Sequence, residues 1–223
     1  MNSTLIHLFQ TLNGYLFYYY VNKICQKYQT KKLASNTVSL IHASTSSILG
    51  ISYLFNNSSI IWIKLNSGGY FAFDTIKLLS KGNYKFTDFI FLYHHIASHW
   101  YISFDPLKYQ WPYILTWAEI SNLPGYIVYY NIQKDKEEKL WKGYKSINTK
   151  YWLRIQMFFY MFIRIFILAY YGFKELNGPN PKPLYFCAPV YLLGLIWTYV
   201  IYRQNQSFAL QPSFTKSSKL HLL

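Results

Sequence analysis

Seven apolar stretches run the length of the chain, at roughly 5–21, 37–55, 60–80, 86–104, 109–131, 150–173 and 184–202. Charged or Gly/Pro/Asn-containing breaks separate them. Crossing about 30 Å of hydrocarbon takes about 20 residues of helix, and most of the seven reach that length. The first is marginal, and Asn66, Ser67, Gly68 and Gly69 interrupt the third. A chain so patterned has few folds open to it. Inside a bilayer every backbone N–H and C=O must find a partner within the protein, so the spans must be helices.

The placement of basic residues tests this reading. Lys23, Lys27, Lys31 and Lys32 follow the first stretch, and Lys81 and Lys85 follow the third. Six lysines from Lys134 to Lys150 follow the fifth, and Arg203, Lys216 and Lys219 follow the last, which makes 15 on one side. The alternate breaks hold 3: Lys108, Lys174 and Lys182. Basic loops remain cytosolic, so the N-terminus is expected outside or in a lumen and the C-terminus in the cytosol. The net charge of +14 suggests nucleic acid at first sight, but a soluble nucleic-acid binder has no reason to alternate in this way. Charged residues amount to only 13% and aromatics to 22%. That is about half the charge a soluble domain carries. Mean hydropathy is +0.03, depressed by tyrosines that suit a membrane interface.

The first ten residues contain no Lys or Arg, so residues 1–29 are expected to be a retained anchor helix and its loop, not a cleaved signal. Residues 30–203 form the main transmembrane domain, and 204–223 a loose polar cytosolic tail. Cys25 and Cys187 are too few for a disulfide framework and read as buried thiols.

Ionisable groups inside hydrocarbon are costly and tend to face a cavity or carry function. The spans hold His42, Asp74, Lys77, His94, His95, His99, Glu119, Arg154 and Arg164, with Ser121 and Asn122 beside Glu119. His95 and His99 stand four apart on one helix face, a spacing that suits a metal. A closed zinc site needs further ligands that no motif supplies, so no metal and no cofactor are expected, and His99 is expected to face headgroups. Asp74 is expected to pair with Lys77, while Glu119 is open to a pairing with Arg164 or to a role as base. Ser39, His42 and Ser46 share a polar stripe.

The segments Ser39-Leu40-Ile41-His42-Ala43-Ser44, Gly69-Tyr70-Phe71-Ala72-Phe73-Asp74, Asp88-Phe89-Ile90-Phe91-Leu92-Tyr93-His94-His95, Trp117-Ala118-Glu119-Ile120-Ser121-Asn122-Leu123-Pro124 and Phe162-Ile163-Arg164 resemble, in order and spacing, the TLC family of polytopic membrane proteins. That family includes ceramide synthases, translocating-chain-associated membrane proteins and regulators of phospholipid composition. The resemblance covers about residues 30–203. It implies a helix bundle around a lipid-accessible cavity. It also implies that His94 and His95 match the paired histidines with which ceramide synthases are thought to transfer an acyl chain from acyl-CoA to a sphingoid amine. Those synthases carry a second His-Asp cluster where this chain has Glu119-Ile120-Ser121-Asn122, so the resemblance leans to the non-synthase branch.

The expectation is therefore an all-α transmembrane bundle of about seven spans around a central cavity, in the endoplasmic reticulum or a related internal membrane. Its expected partner is a membrane lipid or acyl chain, acyl-CoA included, with no nucleic acid. His94 and His95 are the catalytic candidates, and His42, Asp74, Glu119, Ser121, Asn122 and Arg164 the cavity candidates. The function expected is lipid homeostasis through acyl-chain binding. The alternatives are N-acyl transfer through the paired histidines, or a cargo- or translocon-associated binding role.

Overall fold

A computed structural model describes residues 3–56, 60–137, 145–178, 180–209 and 213–214. It is all-α apart from one pair of two-residue strands. The helices are α1 (Ser3–Tyr28), α2 (Lys31–Asn56), α3 (Ile60–Leu79), α4 (Phe86–Tyr101), α5 (Trp111–Glu137), α6 (Ile147–Tyr160), α7 (Leu168–Leu176) and α8 (Lys182–Ala209). A π-helical stretch, Met161–Ile167, joins α6 to α7 into one rod. Each apolar stretch of the sequence thus becomes one helical rod. Lys145–Ser146 pairs in parallel with Ser213–Phe214.

Length and hydropathy single out three rods as able to cross a membrane among the described residues: Lys31–Phe55, Ile147–Leu176 and Lys182–Ser207. The other four fall short for visible reasons. α4 has 16 residues, about 24 Å at ~1.5 Å per residue. The third carries Lys64, Asn66, Asp74 and Lys77. In α1 and α5, tyrosine, asparagine and terminal charge dilute the apolar average.

The interruption expected at Asn66–Gly69 is no interruption. α3 is continuous there and all four residues are buried, because this is where α1 crosses. A Cβ on Gly69 would stand 2.3 Å from Gly14 Cα, and one on Gly14 would stand 2.2 Å from Leu65 O. Two backbones this close admit only glycine, and close small-residue crossings are how helices associate without a hydrophobic driving force. Tyr18 of α1 is fully buried in a core with Val38, Ile63, Tyr70, Phe73 and Trp111. The first helix is thus packed into the body of the bundle.

Several boundaries differ from expectation, among them the ends of α8 and α5. α8 continues to Ala209 where a loose tail was expected from Gln204. Asn205 Nδ2 donates to Leu153 O at 3.2 Å and ties that last turn to α6. Residues 210–212 and 215–223 lie outside the described residues. α5 likewise runs on to Glu137, where buried Asp135 accepts from Thr149 Oγ1 at 2.7 Å; the stretch 138–144 lies outside the described residues. Between α3 and α4, Gly82 turns the chain with φ +76°. Asp88 then accepts from Lys85 N at 2.8 Å and ion-pairs with Lys81 at 3.0 Å.

Candidate functional site

A cavity of about 370 Å³ lies between α4, α5, the α6–α7 rod and α8. Its walls are mostly apolar, with Phe71, Ile114, Leu115, Leu168, Phe173, Leu184 and Val190 among them. One end lies near mid-helix and is closed by His94, Glu119, Asn122 and Arg164. The other lies among Tyr101, Trp111, Leu176 and Leu184, where α4 and α7 end and α5 and α8 begin. That is the end of the bundle whose connections carry Lys108, Lys174 and Lys182, opposite the end that carries Lys31, Lys32, Lys81 and Lys85.

The polar end is one hydrogen-bonded network. His42 Nε2 meets Glu119 Oε1 at 3.3 Å, both side chains being buried. The other carboxylate oxygen, Oε2, accepts from Asn122 Nδ2 at 3.3 Å. Asn122 Oδ1 in turn accepts from Tyr160 Oη at 2.8 Å and Arg164 Nη2 at 2.9 Å. Arg164 Nε donates to Ser121 Oγ at 3.2 Å, and its guanidinium lies 4.7 Å above the Tyr160 ring. Behind Glu119, the His42 ring stacks on Tyr70 at 3.9 Å with 5° between planes. Asn66 and Ser46 reach His42 Nδ1 at 3.4 Å each, Asn66 donates to Ser46 at 2.7 Å, and Tyr18 donates to Asn66. Buried polar groups demand such satisfaction, and five helical rods supply it here.

The candidates therefore divide. His94, Glu119, Asn122 and Arg164 line the cavity. His42 and Ser121 do not; they stand one layer behind and hold Glu119 and Arg164. His95 and Asp74 do not line it either. His95 Nε2 faces Asp74 Oδ2 at 3.6 Å, and its ring stacks on Phe71 at 5.7 Å. Adjacent helical residues point about 100° apart, so only one of the two histidines can face the cavity, and that one is His94. Its Nδ1 is buried without a hydrogen-bond partner.

The expected Asp74–Lys77 pair does not form. Lys77 donates to Ser35, and the ion-pair partner of Asp74 is His95. Nor does His99 face headgroups. It stacks on His7 of α1 at 5.3 Å, over the space that Gly68 leaves open. This takes His99 away from any ligand set shared with His95. Among the described residues, no group of three or more His, Cys, Asp or Glu can hold a metal.

Several partners were not singled out from the sequence: Tyr18, Asn66, Tyr70 and Tyr160, which dress the network, and Gly194, which makes room for it. A Cβ on Gly194 would meet Arg164 Nη1 at 2.6 Å. At the far end, Gln110 Oε1 is buried without a hydrogen-bond partner, and buried Tyr101 Oη and Glu175 lie within electrostatic reach of each other. A second hollow of about 550 Å³ adjoins there and shares Phe173 with the first. A buried asparagine flanked by polar helix positions could have pointed to Asn66, but nothing local distinguishes these tyrosines among 24.

Comparison with known proteins is silent. No family model, curated protein or solved structure matches the chain. The chemistry on offer must be read from the geometry: one imidazole, one carboxylate, one amide and one guanidinium converge on the end of an apolar cavity.

Proposed function

We propose that this is a multi-pass membrane protein that binds an acyl chain or lipid inside its helix bundle and acts in membrane lipid homeostasis. The observation that carries the reading is the apolar cavity of about 370 Å³ closed by a polar cluster. Its size falls within the roughly 300–1,000 Å³ of ligand sites, and so does its make-up, apolar walls with a few convergent polar groups. A hydrocarbon chain is the ligand that such walls favour, at about 0.8 kcal/mol per buried CH₂. In this reading all seven rods span, the basic face is cytosolic, the N-terminus is luminal and the membrane is that of the endoplasmic reticulum or a related compartment. The segments that resemble the TLC family supply the polar cluster, which favours a TLC-like bundle of the non-synthase kind.

Acyl transfer is the second reading, and one observation favours it: His94 lines the cavity with a buried, unpartnered nitrogen. Against it, His95 is turned to Asp74, so the paired histidines do not act on one ligand. A role in binding protein cargo is third and draws on no feature of the cavity.

The test is photolabelling. Purified protein in nanodiscs is exposed to a diazirine-bearing fatty acyl lipid, and labelled peptides are mapped by mass spectrometry. Label is expected on the residues from Ile114 to Ala118 and from Leu184 to Tyr191, and it is expected to vanish in Ala188→Trp, which fills the cavity. Label confined to the outer faces of the helices, unchanged in Ala188→Trp, would end the lipid-cavity reading.

A further inference from the structure

We infer that the cavity takes a single-chain amphiphile with an anionic head, a long-chain carboxylate, and anchors that head on Arg164. The inference rests on the lipid-cavity reading above and adds the ligand's polarity and direction.

The argument is one of charge. Buried ionisable groups in a bilayer pair with one another, and the pairs can be identified here. Glu119 is held by His42 at 3.3 Å, and Asp74 by His95 at 3.6 Å. Among the described residues no carboxylate lies within 4.0 Å of Arg164. Its partners are a hydroxyl, an amide oxygen and an aromatic face, and none of these brings negative charge. Glu119 reaches Arg164 only through Asn122. A guanidinium cannot shed its proton in a protein, so the cation stays, at the end of an apolar cavity, with no carboxylate in direct contact with it.

The backbone is built to put it there. Arg164 sits within the π-helical stretch Met161–Ile167. π turns are rare and frequently fall at functional sites. Opposite, Gly194 leaves a notch that a single methyl group would close, 2.6 Å from Nη1. From Arg164 the wall continues through Leu168, Gly172 and Leu176, one helix face at four-residue spacing. Those 12 residues span roughly 18 Å, a groove for one extended chain. The guanidinium fork matches a carboxylate in shape as well as sign. The geometry thus reads head at Arg164 and tail toward Leu176.

The experiment measures binding of C16 amphiphiles to the full chain in micelles of a neutral detergent at about pH 8, by competition with a fluorescent fatty acid. Hexadecanoate is expected to bind at least tenfold tighter than hexadecanol and hexadecylamine. Hexadecyl phosphate serves as the arm that separates a carboxylate site from a phosphate site, and is expected to bind more weakly than hexadecanoate. Arg164→Met is expected to erase the preference for the acid over the alcohol, and Arg164→Lys to retain part of it. Gly194→Ala crowds the guanidinium without touching the ligand and is expected to weaken the acid selectively. Should Arg164→Met fail to fold, the ranking of ligands on the unaltered protein still decides. Equal binding of acid and alcohol would show a lipid site in which Arg164 is only part of the internal network, overturning this inference and leaving the lipid reading intact. Tighter binding of the amine would place the head on a carboxylate, Glu119 in this cavity or Glu175 beyond it, and overturn it too, as would tighter binding of hexadecyl phosphate. No binding by any of them would remove both readings.

Discussion

Consider the His42–Glu119 contact as a quantity. At 3.3 Å and an effective dielectric of about 20, two unit charges attract by about 5 kcal/mol. Removing either partner leaves the other buried, which costs about 3–5 kcal/mol for an ion pair. A neutral hydrogen bond in the same place is worth far less: interhelical coupling energies in membrane proteins average about 0.6 and reach about 1.7 kcal/mol. The two possibilities separate in a double-mutant cycle. His42→Phe keeps the ring on Tyr70, whose centroid lies 3.9 Å away. Glu119→Leu keeps an apolar side chain of similar length. Each single variant is expected to lose about 3–5 kcal/mol and the double variant far less than the sum, a coupling of about 2 kcal/mol or more. The assay is equilibrium unfolding in mixed micelles by titration with a denaturing detergent, followed by tryptophan fluorescence. A coupling near 0.6 kcal/mol, with single losses under about 1 kcal/mol, would mean an ordinary hydrogen bond, and the charge pairing from which Arg164 was left over would have to be redrawn.

Other expectations follow from the same coordinates. Gly69→Leu forces α1 off α3, since even a Cβ meets Gly14 Cα at 2.3 Å; a loss of about 3 kcal/mol or more, or failure to accumulate, is expected in a thermal-melt or expression assay, and a wild-type melting temperature would refute the crossing. Reporters fused at Leu223 and within 56–59 should lie on opposite sides of the membrane, cytosolic and luminal in turn, and finding both on one side would dismiss the seven-span alternation. Purified protein given acyl-CoA and a long-chain amine should yield no N-acyl product by mass spectrometry; an amide that forms robustly and disappears in His94→Ala would make the protein an acyltransferase. In that event His95→Ala separates the roles, since a histidine turned to Asp74 at 3.6 Å should lower turnover by positioning its neighbour, with partial rescue by His95→Gln.

Much of the helical plan was legible in the residues alone. Hydrophobic length is a local property, and each apolar stretch became one rod with its ends shifted by up to seven residues. The lopsided distribution of lysine is likewise a property of sequence order. What composition could not measure was which rods face lipid. Among the described residues three are apolar enough by themselves, because α1, α3 and α5 spend residues on the network and the crossing.

The candidate site was half legible. Ionisable residues in apolar stretches are conspicuous, so His94, Glu119, Asn122 and Arg164 stood out before any fold was known. Their order in depth was not. Whether His94 or His95 meets the cavity depends on the rotation of α4 against α3, and that rotation is set where Asp74 takes His95. The sense of Asn66–Gly69 was inverted for a similar reason. Read locally, a polar and glycine-rich tetrad breaks a span; placed against Gly14, it is a surface smooth enough for α1 to lie on. Partners in pairs such as His42 and Glu119 lie 77 residues apart, and no local pattern records which of several buried charges will meet. Composition and periodicity decided that there would be helices with costly polar groups inside them. Packing alone decided which of those groups satisfy one another, and left Arg164 facing the cavity.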